Sequence, residues 1–130
     1  MSEPIRVLVA DDHPVVRHGL RTLLELQDDL EPVGEACDGA EAIRLVEETL
    51  PDVVLMDLVM PEVDGIEAIR RIRQLGSPLG RIAIIGVSGR GEDEAASRTA
   101  GADAFVLKPV SPRALATALL EATHRAAAAT

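Results

Sequence analysis

Five short strand-like runs, each followed by a stretch of helical periodicity, restrict this chain to very few architectures. The runs are Ile5–Ala10, Pro32–Ala36, Asp52–Asp57, Ile82–Val87 and Ala104–Leu107. Pro32–Ala36 is the weakest. The others are continuous apolar blocks rather than apolar–polar alternations, as expected of parallel strands covered on both faces by helices. Between them lie the helical signals. Val16, Leu20, Leu23 and Leu24 follow Pro14 at helical spacing, and Asp38 is placed to cap a helix carrying Ala42, Ile43, Val46 and Leu50. Ile66, Ile69 and Ile72 mark a third helix ending near Gly76. A short, polar, alanine-rich helix spans Glu92–Ala100. Ser111-Pro112 opens a last one through Leu115, Leu119 and Ala122, with serine as N-cap and proline in the first turn.

A β-α unit repeated five times predicts a single α/β domain, a doubly wound, flavodoxin-like (βα)5 parallel sheet with strand order 2-1-3-4-5. Four of the strands run into polar residues: Asp11 and Asp12, Asp57, Ser88, and Lys108. In such a sheet those ends meet at one edge, where these folds bind ligands. Three carboxylates, a hydroxyl and an ammonium would converge there from distant positions.

Two carboxylates about 4 Å apart repel by about 4 kcal/mol at an effective dielectric of about 20, so three need more counter-charge than one lysine supplies. Hard oxygen donors without clustered His or Cys point to Mg²⁺ or Mn²⁺. One carboxylate could do more than bind metal: an aspartate attacks phosphorus when a metal and a lysine neutralise the phosphoryl oxygens. Lys108 would then pair with the phosphoryl group and Ser88 would donate a hydrogen bond to it.

Composition narrows the partners. A formal charge of −9 repels phosphate backbones, so the chain itself is a poor nucleic-acid binder, and DNA contact requires another domain. No run reaches membrane-spanning length, and Met1-Ser2-Glu3-Pro4 lacks signal-peptide character, so no membrane role is expected. The single cysteine, Cys37, cannot form an internal disulfide; it reads as a small buried residue in a cytoplasmic protein. His13, His18 and His124 have no metal-ligand spacing; His13 is placed to help cap the first helix and the other two read as surface residues. Arg70, Arg71 and Arg73 read as a solvated helix face.

The stretches Val7-Leu8-Val9-Ala10-Asp11-Asp12-His13-Pro14, Leu55-Met56-Asp57-Leu58-Val59-Met60-Pro61, Asp64-Gly65, Gly101-Ala102-Asp103-Ala104-Phe105 and Lys108-Pro109 resemble the receiver domain of bacterial two-component response regulators. The resemblance runs from Ile5 to about Ala122. The Asp-Asp-His-Pro start, with Val33-Gly34-Glu35-Ala36, is most similar to the NarL/FixJ subgroup, whose members carry a LuxR-type output. It implies a receiver over residues 1–124 and a tail or linker start over 125–130.

By that resemblance Asp57 is the phosphoacceptor, taking its phosphoryl group from a sensor histidine kinase. Asp12 and Asp57 ligate Mg²⁺ (or Mn²⁺), Asp11 supports it through water, and the Val59 backbone carbonyl is a further ligand. Lys108 pairs with the phosphoryl group, while Ser88 and Phe105 form the switch that reshapes the face of helix 4, strand 5 and helix 5. Such a domain is no metabolic enzyme; it catalyses only its own phosphorylation and dephosphorylation. The implied output is a DNA-binding transcription regulator domain outside this chain, engaged through a homodimer formed on phosphorylation. Val15 and His18 are implied in kinase docking.

Phe105 and Lys108 are three residues apart on a strand, so they point to opposite faces, as a switch aromatic requires. Three features depart from the subgroup or blur it. Pro109 stands where the subgroup commonly has Asp, and the family often has this Lys-Pro bond in the cis form. The usual helix-turn-helix is missing, and the end after Ala126–Ala129 reads as a trimmed linker. Val59 and Arg90, two residues beyond Asp57 and Ser88, suggest slow autodephosphorylation, with Arg90 shielding the phosphoryl group. The alternatives are a stand-alone receiver acting by protein–protein interaction or as a phosphorelay intermediate, a haloacid-dehalogenase-type phosphatase, and a purely structural pseudo-receiver. The phosphatase is disfavoured because its Asp-x-Asp pattern is replaced here by Asp-Asp. The pseudo-receiver is disfavoured because acidic pair, acceptor and lysine are all retained.

Overall fold

A computed structural model describes residues 3–76 and 79–128. Strand and helix alternate throughout: β1 (Ile5–Ala10), α1 (Pro14–Glu25), β2 (Leu30–Ala36), α2 (Gly39–Thr49), β3 (Val53–Asp57), α3 (Gly65–Arg73), β4 (Ala83–Ser88), α4 (Asp93–Ala100), β5 (Ala104–Leu107) and α5 (Pro112–Ala128). A 3-10 turn over Leu79–Arg81 leads into β4. The five strands form one parallel sheet in the order β2-β1-β3-β4-β5, as the β-α repetition predicts.

Alternate residues of the strands feed two separate cores. Val7, Val9, Val53, Leu55, Ile85, Val87, Ala104 and Val106 pack beneath α1 and α5, against Leu20, Leu24, Leu115 and Leu119. Leu8, Val54, Met56 and Ile84 face α2, α3 and α4, against Val46, Ile69, Ile72 and Ala100. The inner strands β3 and β4 are buried along their whole length, which is why their sequences are continuous apolar runs. Edge strand β2 is only partly covered, so its signal is weak; it begins at Leu30, two residues before its sequence signal. Its ladder with β1 shifts register where Val7 faces Pro32 and Leu8 faces Gly34, the kind of irregular edge position a proline tolerates.

The helix starts follow their capping chemistry. Asp38 and Asp64 accept the backbone N–H of Glu41 and Glu67, three residues on, and Ser111 accepts that of Ala114. His13 occupies the N-cap position of α1 but makes no side-chain cap bond, contrary to the expectation above. Cys37 is exposed rather than buried, because it stands outside the sheet at the turn into α2, where its N–H donates to Glu41. Glu41 also holds the thiol above its usual range, which disfavours the reactive thiolate.

Arg70 and Arg71 are exposed and pair with Glu67, as a solvated face would. Arg73 is not part of that face. It is half-buried, donating to the carbonyls of Ile82 and Gly101 and pairing with Asp103 at 2.8 Å, so it ties α3 to the ends flanking β4 and β5. The last helix runs to Ala128, and Ala126 packs on the core. Ala129 and Thr130 lie outside the described residues. Among the described residues no helix is long and apolar enough to cross a membrane.

Candidate functional site

Sheet register brings the polar strand ends to one edge. Ala10 pairs with Met56, so Asp11 follows beside Asp57; Asp57 pairs with Val87, and Ser88 with Leu107, so Ser88 and Lys108 come next. The backbone locks this edge: Leu58 N–H donates to Val87, Lys108 N–H to Ser88, and Asp11 N–H to Ala36. Two glycines are required by close approach. A Cβ on Gly65 would overlap the Asp57 carbonyl, and one on Gly39 would overlap that of Val63, so α3 and α2 dock their first turns directly on the β3–α3 connection. Within that connection Glu62 adopts a left-handed φ of 64°. The Lys108-Pro109 bond is cis.

Asp11 is fully buried and Asp57 is 3% exposed. Asp11 accepts the His13 N–H at 2.8 Å on Oδ1 and has Lys108 Nζ 3.1 Å from Oδ2. Asp57 accepts the Val59 N–H at 3.2 Å on Oδ1, with Lys108 Nζ at 3.6 Å. Burial pushes the Asp57 carboxyl up to about 6; the Val59 N–H opposes this, Asp11 adds to it, Lys108 opposes it and Asp12 adds to it. The cluster is therefore short of positive charge, as three carboxylates around one ammonium must be.

Oδ2 of Asp11, Oδ1 of Asp12 and Oδ2 of Asp57 are buried without a hydrogen-bond partner. Lys108 approaches the first and His13 Nδ1 lies 3.1 Å from the second, while the Asp57 oxygen has neither. Ligand atoms of Asp11, Asp12, His13 and Asp57 lie within 4.8 Å of one another. Buried, unsatisfied, hard oxygens at that spacing fit a small divalent cation such as Mg²⁺ or Mn²⁺.

Ser88 reaches the same edge but its hydroxyl is engaged. Oγ donates to Asp93 Oδ2 at 2.6 Å and accepts the Arg90 N–H at 3.1 Å. The Arg90 guanidinium also donates to Asp93, at 2.8 Å. Phe105 is half-buried on the face covered by α2, α3 and α4, while its neighbours Ala104 and Val106 belong to the opposite core, the alternation that its spacing from Lys108 predicts. Val59 is exposed at the rim, and Val15 is 84% exposed near the start of α1. His18 and His124 lie at the surface.

Three contributors were not legible as site residues. His13 meets the carboxylates through Nδ1, although its sequence spacing gives no hint of it. Asp93 looks like an ordinary helix-start acid. Arg17 bridges α1 to the Asp11 carbonyl at 2.8 Å and to Glu35 at 3.0 Å, and Arg21 joins the same glutamate. Arg21 also holds the Glu35 carboxyl below its usual range. Only the Val33-Gly34-Glu35-Ala36 motif marked that anchor in the sequence.

A parallel five-stranded sheet with an acidic cluster and a lysine at its C-terminal edge is the architecture of a phosphoryl-handling signalling domain. The response regulator receiver domain family matches residues 7–120, and the chain belongs to that family. Among curated proteins, the transcriptional regulatory protein YhcZ of Bacillus subtilis (strain 168) is 47% identical over 111 residues, 85% of this chain and 51% of its own. The nitrate/nitrite response regulator NarL of Escherichia coli (strain K12) is 40% identical over 127 residues, 98% of this chain and 56% of its own. The chain thus spans about half the length of the curated relatives it matches. A LuxR-family two-component response regulator from Aurantimonas sp. SI85-9A1 superposes with a TM-score of 0.84 at 37% identity, covering 97% of this chain and 87% of that one. The signal receiver domain of NarL from Mycobacterium tuberculosis gives a TM-score of 0.86 at 34% identity over 95% of this chain and 98% of that one. The NarL/LuxR type read from the motifs agrees with these relatives.

Proposed function

We propose that this chain is a phospho-accepting switch in which Asp57 receives a phosphoryl group from a phosphohistidine of a sensor histidine kinase. A carboxylate oxygen of Asp57 forms the new O–P bond as the P–N bond breaks, and the imidazole leaves, taking up a proton from water. The supporting observation is the cluster of Asp11, Asp12 and Asp57, with three buried oxygens lacking hydrogen bonds, and the Lys108 ammonium set against Asp11 and Asp57. Asp12 and Asp57 would hold Mg²⁺ or Mn²⁺ directly, Asp11 through water, and the Val59 carbonyl would complete the protein's share. The ion, when bound, supplies the positive charge that neutralises phosphoryl oxygens. Lys108 supplies the protein's own, moving from Asp11 towards the transferred group. Ser88 donates its hydroxyl to that group, and Phe105 adjusts beneath α4.

The receiver is assigned to residues 1–124, with 125–130 as a tail or linker start. The face made by α4, β5 and α5 is the surface that changes; Arg98 already joins α4 to α5 by donating to Glu121, and donates to the Asp103 carbonyl just before β5. The output is a DNA-binding transcription regulator domain outside this chain, engaged by a phosphorylation-dependent homodimer in the cytoplasm. The names of the relatives, a transcriptional regulatory protein and a response regulator, support this.

The test is an NMR titration and a sizing run with Mg²⁺ and beryllofluoride, a mimic of the aspartyl-phosphate, with Asp57→Asn as control. Shifts that need Mg²⁺ and vanish in Asp57→Asn are expected, with dimerisation alongside. Shifts without a dimer would favour a stand-alone or relay receiver. No response would overturn the phosphoacceptor reading.

A further inference from the structure

We propose that Asp93 is a latch on Ser88, a positioning residue that competes with the phosphoryl group for the one proton this hydroxyl can donate. The inference rests on the reading of Asp57 as phosphoacceptor and concerns how that site is held before phosphorylation. Ser88 is 1% exposed and Asp93 8%, and their O···O distance of 2.6 Å is that of a charge-assisted hydrogen bond. A serine hydroxyl carries a single proton, so it cannot serve Asp93 and a phosphoryl oxygen together.

Arg90 closes the clasp. Its guanidinium donates to both oxygens of Asp93, at 3.3 and 2.8 Å, while its backbone N–H donates to Ser88 Oγ at 3.1 Å. Both oxygens of Asp93 and the lone-pair side of Ser88 are thus satisfied within six consecutive residues. Arg90 and Ser88 together hold the Asp93 carboxyl below its usual range.

Two further features suit a clasp that opens. Gly89 and Gly91 flank Arg90, yet neither has positive φ and a Cβ on either would meet nothing. Glycine is not needed for this conformation of the loop, but it eases a second one. Asp93 is also the first residue of α4, whose cap position Glu92 makes no side-chain cap bond. When Ser88 turns to the phosphoryl group, the carboxylate at the start of α4 loses its buried donor. The change is then passed along a helix that Arg98 fastens to Asp103 and Glu121. Asp93 thereby sets how much of the binding free energy of the phosphoryl group is spent on reorganising α4.

The experiment is a beryllofluoride titration of the full chain with saturating Mg²⁺, read by NMR, in wild type, Asp93→Ala, Ser88→Ala and the double variant. Releasing the latch enlarges the population competent to bind, so Asp93→Ala should tighten beryllofluoride by roughly three- to tenfold. In the Ser88→Ala background the same substitution should have no effect, which a merely structural role at the helix start would not produce. Should Asp93→Ala disorder α4, Asp93→Asn and Arg90→Ala leave the helix start polar and should each tighten binding by a smaller factor. Equal tightening with and without Ser88, or no tightening in any variant, would overturn the latch while leaving the phosphoacceptor reading intact. Failure of the wild type to bind would overturn both.

Discussion

The Lys108 ammonium leans on Asp11, with Nζ 3.1 Å from its Oδ2, closer than the 3.6 Å that separates Nζ from Asp57 Oδ1. The partner nearest the lysine is thus the fully buried acid at the end of β1, and the residue expected to carry chemistry is left partly uncompensated. That distribution keeps Asp57 available while the cluster stays folded.

Removing the ammonium should expose this balance. Lys108→Met leaves three carboxylates without the cation that approaches two of them. Breaking a buried ion pair costs about 3–5 kcal/mol, and partial exposure of the lysine reduces this to about 2 kcal/mol. Urea unfolding in metal-free buffer should show that loss near pH 7.5 and a clearly smaller one near pH 5, where protonation relieves repulsion. A pH-independent loss would contradict the electrostatic account.

Asp57 gives a second pH dependence with a definite sign. Its carboxyl is pushed up to about 6 from the ordinary 3.8, mainly by burial. In that window the folded state binds the extra proton, so stability falls as pH rises from the lower value to the upper one. Above it the cost is complete, of the order of 2–3 kcal/mol. Asp57→Asn should therefore stabilise the metal-free protein near pH 7.5 by up to that amount, and the gain should vanish near pH 4. A gain of equal size at both pH values would refute burial of the charge as its cause.

Asp12 should separate metal binding from folding. Its Oδ1 is buried without a hydrogen bond and lies among like charges. Asp12→Ala should weaken Mg²⁺ binding at least about tenfold by calorimetry, while removal of one repulsive charge leaves stability unchanged or slightly raised. Unaltered Mg²⁺ affinity would remove Asp12 from the ligand set.

Gly65 tests whether the site depends on backbone approach. A Cβ there overlaps the Asp57 carbonyl and the Leu58 Cα, so Gly65→Ala should cost about 3 kcal/mol or more by denaturant midpoint. Gly89→Ala, where a Cβ meets nothing, should change stability by no more than about 0.5 kcal/mol. Similar costs at the two positions would show that entropy, not collision, is being measured.

Much of this molecule is legible along the chain because the relevant forces are local or periodic. The caps at Asp38, Asp64 and Ser111 act over three residues, and the continuous burial of β3 and β4 leaves unbroken apolar runs. Edge strand β2 is half-covered and therefore half-written. Arg73 and Cys37 ran against expectation because a long arginine stem reaches across to Gly101, and a turn carries the thiol outside the sheet.

By itself the sequence determined the order of strands and helices, and hence that Asp11, Asp12, Asp57, Ser88 and Lys108 end on one edge, because periodicity and capping are properties of neighbouring residues. Only the tertiary structure decided which of them touch. It set Lys108 against Asp11, brought His13 to the carboxylates, raised the Asp57 carboxyl by burial, and gave the Ser88 proton to Asp93. Those outcomes depend on distance and dielectric across packed elements, quantities that spacing along a chain does not encode.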